Sequence, residues 1–132
     1  MKSLILSLTL ALACPAAAQQ FAEAEGGSLR FLDKLTSETG DVTLNRGQSA
    51  KFGRLMVRLD SCRYPADDPA SDSEAFLTIV EETTGLGLFS GWMLASSPAL
   101  SALDHPRYDV WVLSCILPEA TAEPATSKAE GE

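Results

Sequence analysis

Beyond Gly27 no segment keeps a helical hydrophobic period over about eleven residues; apolar and polar residues alternate in short runs broken by turn residues. In Leu29-Arg30-Phe31-Leu32-Asp33-Lys34-Leu35, positions 29, 31 and 35 share one face while Arg30 and Lys34 point away. Thr39-Gly40-Asp41 reads as a turn, Val42 and Leu44 as a short partner strand, and residues 45–48 as a second turn. Residues 54–62 put Leu55, Val57 and Leu59 inward with Arg58 and Asp60 outward. Residues 63–73 hold Pro65 and Pro69 without an apolar pattern and read as a loop. Strands are expected again at 75–80 and 86–94, joined through Thr83-Thr84-Gly85. Residues 108–113 are apolar on both faces, which predicts a central strand. Ser97 as N-cap and Pro98 at the first helical position predict one short helical turn near 97–103. The fold class that follows is all-β: a small single-domain sandwich or open barrel of about 6–7 strands.

The first residues carry a different signal. Met1-Lys2 opens an apolar run from Leu4 to Cys14, and Pro15 precedes Ala16-Ala17-Ala18, the small-x-small pattern that a signal peptidase reads. Residues 1–18 are therefore expected to be an export signal, and the run is too short for a comfortable permanent span. Cys14 as a lipid-bearing cysteine is the rival, against which stand the missing Leu three positions before it and Pro15 directly after it. Residues 19–27 read as a flexible lead-in, residues 28–118 as the β domain, and residues 119–132 as a disordered acidic tail without Leu, Ile, Val or aromatic residues.

Export leaves Cys62 and Cys115, most simply one disulfide in an oxidising compartment. Closing a loop of about 54 residues is worth roughly 4 kcal/mol in the chain-entropy picture. Both cysteines are expected to end strands, so a bridge requires those strands to run roughly parallel or to face each other across a sandwich. The connection from Ala95 to Pro106 is the crossover that would permit it. No Cys-x-x-Cys is present to make a redox pair.

Ten Lys and Arg against 18 Asp and Glu give a formal charge of −8. That balance argues against nucleic acid and against an anionic membrane surface as partners.

The stretch Phe89-Ser90-Gly91-Trp92-Met93-Leu94-Ala95-Ser96-Ser97-Pro98-Ala99-Leu100, continuing through His105-Pro106-Arg107-Tyr108-Asp109-Val110-Trp111 to Cys115, resembles the signature of a family of exported alphaproteobacterial proteins known only as a domain of unknown function. Leu32-Asp33-Lys34, Phe52-Gly53-Arg54-Leu55, Cys62 and Ala75-Phe76-Leu77 are similar to its pattern too. The resemblance covers about residues 29–118. It implies a periplasmic location and brings no reaction, ligand or catalytic residue.

Candidate sites are few. His105 is the single histidine; a hydrolase would pair it with Ser96 or Ser97 as nucleophile and Asp104 or Asp109 as orienter. No Gly-x-Ser-x-Gly elbow is present, and Ser-Ser-Pro reads better as a helix start. One histidine makes a zinc site a poor fit. Asp67, Asp68, Asp72 and Glu74 crowd a loop that calcium would suit, yet EF-hand spacing is absent. Neither a metal nor another cofactor is expected. Trp92, Met93, His105, Tyr108 and Trp111 gather around the crossover as binding-surface candidates, with Trp92 and Tyr108 as exposed anchors. Gly87 and Gly91 weaken the strand carrying Trp92 and let another backbone or a ligand approach. The expected role is a non-catalytic accessory domain that docks on another envelope protein. The alternatives are a small hydrolase or ligand carrier at Ser97, His105 and Asp109, and a calcium-stabilised structural module.

Overall fold

The computed structural model describes residues 13–16 and 18–118, so most of the expected export signal and the expected tail at 119–132 lie outside the described residues. Within them the chain is a two-layer β-sandwich of eight strands. These are β1 (Phe21–Glu23), β2 (Gly26–Asp33), β3 (Glu38–Asn45), β4 (Ser49–Phe52), β5 (Leu55–Pro65), β6 (Glu74–Glu81), β7 (Gly87–Leu94) and β8 (Tyr108–Cys115), with a 3-10 turn at Pro98–Leu100 between the last two. The larger sheet runs β1-β5-β6-β7, and β4 also pairs with β5; the smaller runs β3-β2-β8. Every pairing is antiparallel. No helix among the described residues is long and apolar enough to cross a membrane.

The alternation builds the core. Leu29 and Phe31 of β2, Leu55, Val57 and Leu59 of β5, Leu77 and Ile79 of β6, Met93 of β7, and Val110 and Val112 of β8 are all buried between the layers. Leu103 of the crossover is buried with them, sealing the side where β7 passes into β8. At eleven residues β5 is long enough to pair along one edge with both β4 and β1, Ser49–Phe52 against its first half and Phe21–Glu23 against its last residues.

Five readings of the sequence are corrected. Part of the stretch expected as a flexible lead-in is strand, since β1 pairs Phe21, Ala22 and Glu23 with Pro65, Tyr64 and Arg63, and β2 already starts at Gly26. The turn after β2 falls at residues 34–37, where Ser37 takes a positive φ of 65°; Thr39-Gly40-Asp41 lies inside β3, and Leu35 is exposed in the turn. The loop expected at 63–73 begins only after Pro65. β8 is an edge strand, because it pairs with β2 alone; its second apolar face is Trp111 and Leu113, half-buried on the outside of the small sheet. Ser97 makes no side-chain cap, although Pro98 does start the turn.

The disulfide forms as expected. Cys62 and Cys115 are bonded with Cα atoms 5.7 Å apart, Cys62 from the larger sheet and Cys115 from the smaller, so the bridge ties the layers face to face.

Candidate functional site

Period two along β7 turns Met93 into the core and leaves Ser90, Trp92 and Leu94 on the outer face of the larger sheet. There Trp92 sits opposite Phe76 of β6 in an edge-to-face contact, ring centroids 5.4 Å apart at 88°. The Arg63 guanidinium of β5 lies 4.0 Å from the Trp92 ring centroid and 4.5 Å from that of Phe21 of β1. Glu74 Oε2 fixes it by accepting from Arg63 Nε at 2.7 Å. Phe21, Arg63, Phe76 and Trp92 thus form a ladder across four strands. Phe21 is 39% exposed, and the other three are half-buried with no layer above them among the described residues.

The remaining candidates are placed elsewhere. Met93 and Tyr108 are core residues, 1% and 2% exposed, so neither is a surface anchor. The Tyr108 ring fits inside because Gly53, at φ 57°, has no Cβ to meet it, and its hydroxyl accepts from the Arg54 N–H at 3.3 Å. His105 is an internal brace: Nδ1 accepts the N–H groups of Arg107 at 3.0 Å and Tyr108 at 3.1 Å, and its carbonyl accepts from Lys34 Nζ at 2.7 Å. That nitrogen is spent on the backbone. Asp109 faces Lys34 Nζ at 3.6 Å, and Ser96 Oγ donates to Asp72 at 2.8 Å. Ser97, His105 and Asp109 are therefore not joined by hydrogen bonds into a nucleophile–base–acid chain.

Trp111 lies on the opposite sheet, half-buried beside a shallow apolar groove of about 250 Å³ that Pro98, Ala99, Ala102, Leu103 and Val110 also line. Another groove, of about 290 Å³, lies between residues 69–73, the end of β7 and the end of β8. Its polar groups already bond to one another: Asp72 accepts from Ser73 and Ser96, and Ser73 Oγ accepts the Cys115 N–H. Burial raises the Asp72 carboxyl, but the Ser96 and Ser73 donors outweigh it and leave the group below its ordinary range. Glu74 is engaged by Arg63, so the acidic loop does not converge its carboxylates. Among the described residues no group of three or more His, Cys, Asp or Glu is placed to hold a metal ion.

Charge is distributed in one direction. All eight Lys and Arg of the described residues, Arg30, Lys34, Arg46, Lys51, Arg54, Arg58, Arg63 and Arg107, are ion-paired. Glu25, Glu38, Asp67, Asp68, Asp72 and Asp104 form no ion pair within them, so the free charge is negative. Phe21, Arg63 and Phe76 escaped sequence reasoning. Phe76 carried a signal, an aromatic residue on the outward phase between inward Ala75 and Leu77; Phe21 and Arg63 lay in stretches read as unstructured.

Residues 27–115 match a family described as an uncharacterised protein conserved in bacteria, DUF2155. The chain is also 29% identical over 99 residues to an uncharacterised protein of Rickettsia prowazekii (strain Madrid E), across 73% of this chain. It spans 64% of the length of that curated relative. No solved structure matches it.

Proposed function

The chain belongs to the DUF2155 family of uncharacterised bacterial proteins, and from its geometry we infer a non-catalytic accessory domain that works in the periplasm by docking on another envelope protein. The observation that carries this reading is the Phe21–Arg63–Trp92–Phe76 ladder on the outer face of the larger sheet. Aromatic and arginine side chains dominate protein–protein contacts, and here they are already held in place, so little rotamer freedom is left to lose on binding. The surface offers no unpaired cation among its described residues, so the partner's contacting surface is cationic or neutral. The Cys62–Cys115 bridge and the export pattern of residues 1–18 support a location outside the reducing cytoplasm. The run from Phe89 to Cys115 spans β7, the crossover and β8, and on this reading its β7 portion carries the docking role.

The test is recovery of partners by cross-linking in the periplasm with the full chain, identified by mass spectrometry, beside a Trp92→Ala chain. Expected is at least one envelope protein enriched by the parent chain and lost with Trp92→Ala, while the melting temperature falls by only a few degrees. Identical partner lists from the two chains overturn the reading.

A further inference from the structure

The chain enters the sandwich directly beside the ladder. Phe21 is the first residue of β1 and sits opposite Pro65 of β5. One residue earlier, the Gln20 carbonyl accepts the Ala66 N–H at 2.9 Å. Gln19 is exposed, and among the described residues it makes no hydrogen bond. It lies with Gln20, Ala66 and Asp67 along an open groove of about 590 Å³. Gln20 is therefore the first residue tied to the sheet, and Gln19 is the untethered residue before it.

The expected export signal ends at Ala18, so its removal makes Gln19 the N-terminal residue. An N-terminal glutamine carries its own electrophile, the side-chain amide carbon Cδ, at a spacing that closes a five-membered ring. α-Amines titrate near about 8, so at neutral pH a share of them is unprotonated and nucleophilic. Because the step is intramolecular, a bond rotation replaces the encounter of two molecules. The α-nitrogen–Cδ bond forms and the Cδ–Nε2 bond breaks. Nε2 leaves as ammonia with one proton taken from the α-amine. Nothing is oxidised or reduced, and no co-reactant is consumed.

The fold permits this step and gives it a consequence. Gln19 has no hydrogen bond among the described residues to give up, and closure leaves Gln20 and β1 in place. β1 is three residues long and pairs with β5 alone, so its end opens more readily than the core strands. Phe21 lies 4.5 Å from the Arg63 guanidinium, which is also the cation over Trp92. An aminopeptidase working from a free α-amine has only Gln19 and Gln20 to remove before it reaches Phe21. A lactam presents no such amine. Closure also takes an ammonium out of the groove that Asp67 lines, as other terminal modifications remove a terminal charge.

We propose that Gln19, once residues 1–18 are removed, closes to pyroglutamate and seals the chain end beside the Phe21–Arg63–Trp92–Phe76 ladder. This goes beyond the docking reading; it rests on the export of the chain and is independent of what the ladder binds.

The test expresses the full chain in a bacterium with a periplasm, beside a Gln19→Ser chain. The periplasmic forms are weighed intact at harvest and mapped by peptide mass spectrometry. Expected for the parent is a chain that begins at residue 19, is lighter than its sequence by one ammonia, and resists Edman sequencing until a pyroglutamyl peptidase is applied. The Gln19→Ser chain, cleaved at the same bond, should show its full mass. Incubated in the folded state with an aminopeptidase, the Gln19→Ser chain should lose residues 19 and 20 while the parent keeps its mass, the two melting temperatures being equal. A parent chain that begins at Gln19 with its full mass, or that loses ammonia only on storage after harvest, overturns the proposal and leaves export standing. A parent chain that keeps residues 1–18, or is cut at another bond, overturns the proposal together with the export boundary. Trimming of both chains at the same rate overturns the sealing role.

Discussion

Gly27 and the Cys62–Cys115 bridge occupy one point between the layers. Gly27 pairs with Cys115 across the small sheet, and a Cβ there would lie 2.8 Å from Cys62 Sγ, which the buried bridge cannot yield. Gly27→Ala should therefore cost about 1–3 kcal/mol by overpacking, read from the urea midpoint. Replacing both cysteines by Ala should cost roughly 4 kcal/mol and make the midpoint indifferent to added reductant. Asp33 is a third special residue, 5% exposed and holding Arg107 through contacts of 2.8 and 3.1 Å. The Arg107 guanidinium, aided by the Leu35 and Thr36 N–H groups and opposed by burial, holds the carboxyl at about 2. The folded value lies below the unfolded one, so this contribution is complete above about pH 4 and is lost as pH falls toward 2. Asp33→Asn should lower stability at neutral pH and flatten the acid limb of urea midpoints measured between pH 6 and 2.5. An unchanged acid limb would mean that other carboxylates, such as Asp41 or Glu23, carry the dependence.

Strand elements were legible where alternation was long and inward residues large. β5 follows the expected phase, with Leu55, Val57 and Leu59 all inward, and β6 forms where a strand was expected, with Leu77 and Ile79 inward. β1 and β4 were not legible, because three and four residues give too few periods to read, and both owe their strand form to pairing with β5. Tyr108 shows a different limit. Its burial depends on a left-handed turn at Gly53, far away in sequence, and no local pattern around residue 108 reports that. The ladder was half legible: Trp92 was singled out, but Arg63, which orients it, sat in a segment whose prolines suggested a loop. The β4–β5 hairpin has its own test. Phe52 stacks on Phe31 at 4.8 Å and meets Tyr108 edge-on at 5.8 Å, bridging the two sheets at the end away from the disulfide. Phe52→Ala should cost about 2 kcal/mol, less than for a fully buried ring, and should loosen β4 first in hydrogen exchange.

Across the whole molecule the sign of the free charge decides what adheres. With every described Lys and Arg paired and a net charge of −8, the protein should pass through a heparin column and float free of anionic vesicles at physiological salt. Retention on either would show that the ion pairs open readily. The order of strands in the small sheet has a consequence for how the chain is made. β2, its central strand, pairs with β3 beside it in sequence and with β8 at the far end, Leu29 opposite Val112. A chain emerging from its N-terminus can zip β2 to β3 at once, but that hairpin then waits with one edge bare until the last strand arrives. Contacts of such sequence separation make folding slow, and an incomplete sheet is sticky while it waits. The protein has no folded half: a polypeptide stopped at Ala95 lacks β8, one cysteine of the bridge and the second partner of β2 together. Folding is therefore an event that follows completion of the domain, and during that interval the unfolded chain is the form that a holding chaperone would meet.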